Sequence, residues 1–201
     1  MNNFWSPYKV LECKNFEEIN KDLITFIEEH TDLLSKDAAL AKSNNNKIKY
    51  CNFFENKKLF YKFNNKLLEY WKSLDCLIRD FYFTLSWGGR VICHLDKPPV
   101  KWKCNWPVLN MEKSHMTFFK TRDPEQNINE LITRRGNPES KDDDHYDVDI
   151  TKMLETHRYR FDKNPILING AVPHGVIYDD DIVFPRIGIQ FMFFNEPEHL
   201  L

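Results

Sequence analysis

From Tyr82 to Phe194 the chain is cut into short runs rich in β-branched and aromatic residues, with no helix-length periodic stretch between them. The runs at 90–96, 105–109, 115–120, 156–161, 166–169, 175–178 and 186–194 read as strands. Pro98 and Pro99 break the chain after the first of them, and the polar 110–114 stretch reads as a hairpin turn. Parallel strands need long crossovers, usually helices, and none is visible. A set of about seven to eight short strands with turns between them closes most naturally as a jelly-roll or double-stranded β-helix, a cupin-like core. Gly188 inside the last run predicts close approach of a neighbour or a ligand.

Upstream the pattern is different. Residues 1–10 read as an extended lead-in. Phe16, Ile19, Leu23, Ile24 and Ile27 recur at helical spacing, predicting an amphipathic helix over 16–34. Phe60, Phe63, Leu67, Leu68, Trp71 and Leu74 predict a second over 59–81, the two packing on one side of a sheet. The 201 residues suit a single domain, with 1–81 as largely helical support and 82–201 as the β core. Sixteen Phe, eight Tyr and five Trp supply large rings for that core. Residues 121–149, which include Arg134, Arg135, Gly136 and the acidic Asp142, Asp143 and Asp144, are polar enough to predict an excursion out of the core, a loop or lid.

A net charge of −2 argues against a dedicated nucleic-acid binder. Lysines cluster at Lys57, Lys58, Lys62 and Lys66 and at Lys97, Lys101 and Lys103; each cluster reads as solvated surface. The five cysteines, at 13, 51, 76, 93 and 104, are odd in number and form no CxxC pair, which speaks against a disulfide framework or a structural zinc site. No signal-type apolar run opens the sequence, and none approaches the length of a membrane span. The expected setting is cytoplasmic.

His94 and Asp96 are two apart at the end of a predicted strand, so their side chains point the same way and can reach one ion. His174 follows Pro173 at the start of a later strand. Two imidazoles and one carboxylate are the donors of the facial arrangement used by non-haem Fe(II), which leaves positions open for co-substrate and dioxygen. His-x-Asp alone is a weak signal, and a histidine at a Pro-Gly turn is often only a turn residue. Arg186 opens the otherwise apolar final run; facing inward, it needs a partner, either an acid of the chain or the far carboxylate of a bound dicarboxylate.

His94-x-Asp96, His174 and Arg186, in that order, resemble the 2-oxoglutarate/Fe(II)-dependent dioxygenase superfamily. The runs at 105–110 and 115–119 resemble small members of the aspartyl/asparaginyl β-hydroxylase-like and phage oxygenase kind, and 165–175 resembles the strand and turn that deliver the distal histidine. The resemblance spans 88–194 apart from 121–149. It implies Fe(II) held by His94, Asp96 and His174, and 2-oxoglutarate bound by Arg186 with help from Asn105 or Thr117. It also implies dioxygen as co-substrate, with succinate and carbon dioxide released. The carboxylate at Asp96 favours hydroxylation over halogenation.

The expected prime substrate is a small polar molecule such as an amino acid or amine, with a peptide side chain next and a nucleobase after that. Trp87, Trp102 and Trp106 are candidates to line its pocket or, more simply, to pack in the core or at its rim. The acidic 142–144 group and Arg122, Arg134 and Arg135 are candidates to meet substrate charge. The rival readings are a cupin-type metalloenzyme without 2-oxoglutarate, a non-enzymatic β-sandwich binding module, and a nucleic-acid modifying enzyme.

Overall fold

The computed structural model describes residues 6–30, 48–51, 65–86, 91–96, 101–135 and 145–201. Helix α1 (Phe16–Glu29) buries Phe16, Ile19, Leu23, Phe26 and Ile27 as one stripe, and Glu17 and Glu18 sit favourably in its first turn. Helix α2 (Asn65–Ser73) buries Leu67 and Trp71, one turn apart. Lys66 joins the helices through Glu18 at 2.6 Å and Asp22 at 3.3 Å.

The second helix ends well before the predicted 81. Asp75 takes a left-handed conformation with φ 52°, and the Cys76 amide turns back to donate to Trp71 O at 3.0 Å. Such a reversal closes a helix by satisfying its last carbonyls. The chain then leaves as a strand, Ile78–Ser86, so Phe81 belongs to a sheet. Residues 31–34 and 59–64, also in the expected helices, lie outside the described residues.

Twelve strands are present among the described residues, in two six-stranded antiparallel sheets. The first contains β1 (Tyr8–Val10), β2 (Ile48–Cys51), β3 (Ile78–Ser86), β5 (Trp102–Leu109), β10 (Ile166–Asn169) and β12 (Arg186–Phe193), in the order β1-β10-β5-β12-β3-β2. The second contains β4 (Val91–Asp96), β6 (Ser114–Thr121), β7 (Ile132–Arg135), β8 (His145–Val148), β9 (Met153–Arg160) and β11 (His174–Tyr178), in the order β7-β8-β4-β11-β6-β9. The fold is therefore mainly β, a sandwich of two antiparallel sheets with few helices. Two strands of the first sheet, β1 and β2, and the first four residues of β3 come from the first 81 residues.

Each sheet has two buried faces with different tasks, and strand alternation assigns them. On β12, Ile187, Ile189 and Phe191 join α1, α2, Phe81, Phe83, Leu85, Cys104 and Trp106 in the largest apolar cluster. That cluster places both helices on one face of the first sheet. Arg186, Gly188 and Gln190, on the opposite parity, line a cavity between the sheets. Gly188 permits a close approach there: a Cβ would come 3.3 Å from both Met111 Cε and Trp106 O, tighter than ordinary contact.

The polar 121–149 region is not simply an excursion. A short 3-10 turn (Ile128–Leu131), β7 and β8 come from it, and β8 pairs directly with β4, Asp147 opposite His94. Leu131 and Val148 pack on Cys93 and Leu95 and cover the outer face of the second sheet. Few apolar residues suffice because a strand pair added to a sheet edge buries one face only, which is why the composition looked like loop. Asp142, Asp143 and Asp144 lie outside the described residues.

Candidate metal centre

His94 and Asp96 sit on β4, and His174 opens the neighbouring β11 directly opposite His94. Strand parity points all three side chains into the space between the sheets. One donor atom from each lies within 4.8 Å of the others, and the group is buried. The two rings are 4.3 Å apart between centroids, and Phe118, beside His174 on β6, stands 6.2 Å from the His174 ring.

The His174 ring is oriented by its own turn. Nδ1 lies 2.8 Å from Val172 O, a pure acceptor, so Nδ1 carries the proton and Nε2 presents its lone pair. This backbone contact is the outer-shell bond expected of a metal histidine. Nε2 is 3.8 Å from Asp96 Oδ2, and His94 Nε2 is 3.8 Å from Asp96 Oδ1.

Asp96 is held on three sides. Its amide donates to Gly170 O at 2.9 Å. A side chain at Gly170 would overlap Oδ2 and approach Cβ and Cγ to 2.8 Å, so only glycine leaves room for the carboxylate. Lys103 Nζ donates to Oδ1 at 2.6 Å. Burial pushes the carboxyl pKa up, but the charge of Lys103, then His174 and His94, and the Lys103 hydrogen bond outweigh it and hold Asp96 below the usual range.

Oδ2 accepts no hydrogen bond among the described residues. A dry carboxylate oxygen is costly unless something ligates it. Facing an imidazole nitrogen at 3.8 Å, it suits an ion seated between them. The donor set, nitrogen and carboxylate oxygen, fits Fe(II), Mn(II) or Co(II).

Arg186, 3% exposed, enters the same cavity from β12. Its Nε donates to Ser114 Oγ at 2.9 Å, and its guanidinium carbon lies 5.3 Å from the Phe161 ring centroid and 5.6 Å from that of Tyr178. Asn105 lines the cavity too; its Oδ1 accepts from Gln190 Nε2 at 3.0 Å, while its Nδ2 has no hydrogen-bond partner among the described residues. The cavity is small, about 40 Å³ of room for water-sized molecules, and it opens to solvent.

Other expectations need correction. Thr117 is buried on β6 with parity opposite to Met116 and Phe118, and it is not part of the cavity wall. Trp102 packs in the helix-side core. Trp106 borders the cavity, but its ring turns to the helix side, stacked 5.4 Å from Phe16 with Nε1 donating to Asn20. Both tryptophans have the parity of Cys104, so neither ring offers a substrate pocket. Trp87 lies outside the described residues, as does Lys97.

Lys103 is not solvated surface: it is 6% exposed and points at the centre. The parity of β5 accounts for its direction. β5 alternates Trp102, Cys104, Trp106 and Val108 with Lys103 and Asn105, and a strand with one wholly apolar face directs its polar residues to the other. Lys101, by contrast, is half-exposed and pairs with Glu198 at 2.6 Å.

The arrangement resembles a 2-His-1-carboxylate facial triad and supports a metal-dependent, oxidoreductase-type active site, consistent with the 2-oxoglutarate/Fe(II) oxygenase-like superfamily without singling out a subfamily. No protein-family model matches the chain, and no curated protein matches it, so the functional reading rests on this geometry.

Proposed function

We propose that the chain is an Fe(II)- and 2-oxoglutarate-dependent oxygenase that hydroxylates a small polar substrate. The observation that carries this reading is the buried His94, Asp96 and His174 group, whose two histidines line one cavity with the buried Arg186. The connectivity supports it. Strands β3, β4, β5, β6, β9, β10, β11 and β12 give the inner orders β10-β5-β12-β3 and β4-β11-β6-β9, and the chain passes repeatedly from one sheet to the other. This alternation supports reading the core as a double-stranded β-helix of eight strands.

With Fe(II) bound, dioxygen and 2-oxoglutarate supply the oxidising power, one oxygen atom entering the substrate C–H bond and the other the succinate as carbon dioxide leaves. The chain's own groups bind, orient and exclude water. His174 keeps Nε2 unprotonated toward the ion through its bond to Val172. Arg186, its Nε on Ser114 Oγ and its guanidinium beside two rings, lines the cavity and would meet the far carboxylate of 2-oxoglutarate there. Met116, Phe161, Ile168 and Val176 make the remaining wall apolar, so charges inside interact more strongly than in water.

The test is anaerobic addition of 2-oxoglutarate to the Fe(II)-loaded protein. A visible charge-transfer band is expected. Its absence at saturating 2-oxoglutarate, with iron bound, would point to a metalloenzyme of another class. In Arg186→Met the half-saturating 2-oxoglutarate concentration should rise roughly tenfold or more, the worth of about 1.5–3 kcal/mol for hydrogen bonds to a charged group. Iron uptake should stay unchanged. Succinate release across a set of amino acids and amines then identifies the prime substrate.

A further inference from the structure

Neither the ligand motif nor the co-substrate calls for a lysine at the centre, yet Lys103 and Asp96 form a buried pair, their side chains 8% and 9% exposed. A buried ammonium has to be paired, and β5 parity aims this one at β4. The lysine takes Oδ1 at 2.6 Å. Oδ2 accepts no hydrogen bond among the described residues, faces His174 Nε2 at 3.8 Å and occupies the space left by the missing side chain of Gly170.

We propose that Lys103 is a positioning residue that makes Asp96 a one-oxygen metal ligand by holding Oδ1 and turning only Oδ2 to the ion. The proposal rests on the metal reading above. The terminal carboxylate torsion of an aspartate is broad and weakly restrained, so an unrestrained Asp96 is free to turn both oxygens to the ion. A chelating carboxylate occupies one more position around the metal. That position is one the co-substrate or dioxygen requires in a site that must bind both. Lys103 thereby keeps the centre open, and it does so through Asp96, without needing to touch substrate.

The experiment counts metal-bound waters. Wild type, Lys103→Met and Lys103→Arg are loaded with Mn(II), checked for folding by thermal melting, and compared by electron paramagnetic resonance in ¹⁷O-enriched water. The methionine variant should show one fewer bound water than wild type, and arginine, which keeps a charged donor, should restore the wild-type count. Equal counts in wild type and the methionine variant would overturn the proposal, as would an arginine variant that behaves like the methionine one.

A wild-type measurement stands if the methionine variant does not fold. In the Mn(II)-minus-apo infrared difference spectrum, the aspartate stretches should be widely split, as for one-oxygen ligation. A narrow, chelate-type splitting would refute the role of Lys103 alone. A folded wild type that takes up no Mn(II) would refute the metal reading itself, so the two failures are distinct.

Discussion

Replacing His174 with alanine is expected to abolish divalent metal binding while the protein stays folded. His174 supplies one of the two imidazoles that the described residues bring to the centre, and the turn at Val172 fixes its ring with Nε2 toward Asp96. Losing an outer-shell partner costs roughly 10–100-fold in metal affinity; losing a ligand should cost more than that. The fold should survive because the large apolar cluster that seats the helices lies on the other face of the first sheet. Titration with Co(II), followed by its ligand-field absorption, reads the affinity, and thermal melting reads the fold. Unchanged affinity in the variant would remove His174 from the centre.

The second large effect concerns stability in the metal-free protein. Asp96→Ala leaves the Lys103 ammonium buried without its counter-charge, and breaking one partner of a buried pair costs about 3–5 kcal/mol. For a chain of this size roughly 2–4 °C of melting temperature accompany each kcal/mol, so a fall on the order of 10 °C is expected with chelator present. Asp96→Ala combined with Lys103→Met should recover most of that loss, because removing both charges also removes the desolvation penalty of each.

The acid limb gives an independent check. The folded Asp96 carboxyl titrates below its ordinary 3.8. Its contribution is therefore present above that value and is lost as pH falls through the lower, folded one. Wild type should lose this increment of stability in acid, and the double variant should not. A double variant as unstable as Asp96→Ala would show that the aspartate supports the fold by some route other than its pairing.

The features most legible in the sequence are those that depend on strand period. His94 and Asp96 two apart, and Arg186 heading an apolar run, follow from which residues share a face, and the structure groups His94 with Asp96 and sets His94 and Arg186 in the wall of one cavity. For Trp102 and Trp106 the simpler alternative, core packing, is the one seen, and Thr117 does not line the cavity. They are near the motif in sequence, but parity sends each side chain to the far face. Lys103 was hidden among Lys97 and Lys101 because charge composition does not report which strand is central. Only the pairing of β5 between β10 and β12 buries it.

The second helix was overextended because apolar spacing ran on past the reversal at Asp75, where a left-handed residue, invisible to periodicity, ends the helix. The β7–β8 pair was missed because its apolar content is small, and its position beside β4 is a long-range contact.

The most direct test of the account is anomalous diffraction from crystals of the Mn(II)- or Fe(II)-loaded protein, collected on both sides of the metal edge. One peak per chain is predicted, ligated by His94 Nε2, His174 Nε2 and a single oxygen of Asp96, with Arg186 in the wall of the same cavity. No peak at that position in metal-loaded crystals, or an ion bound elsewhere with His174 turned away from Asp96, would contradict it.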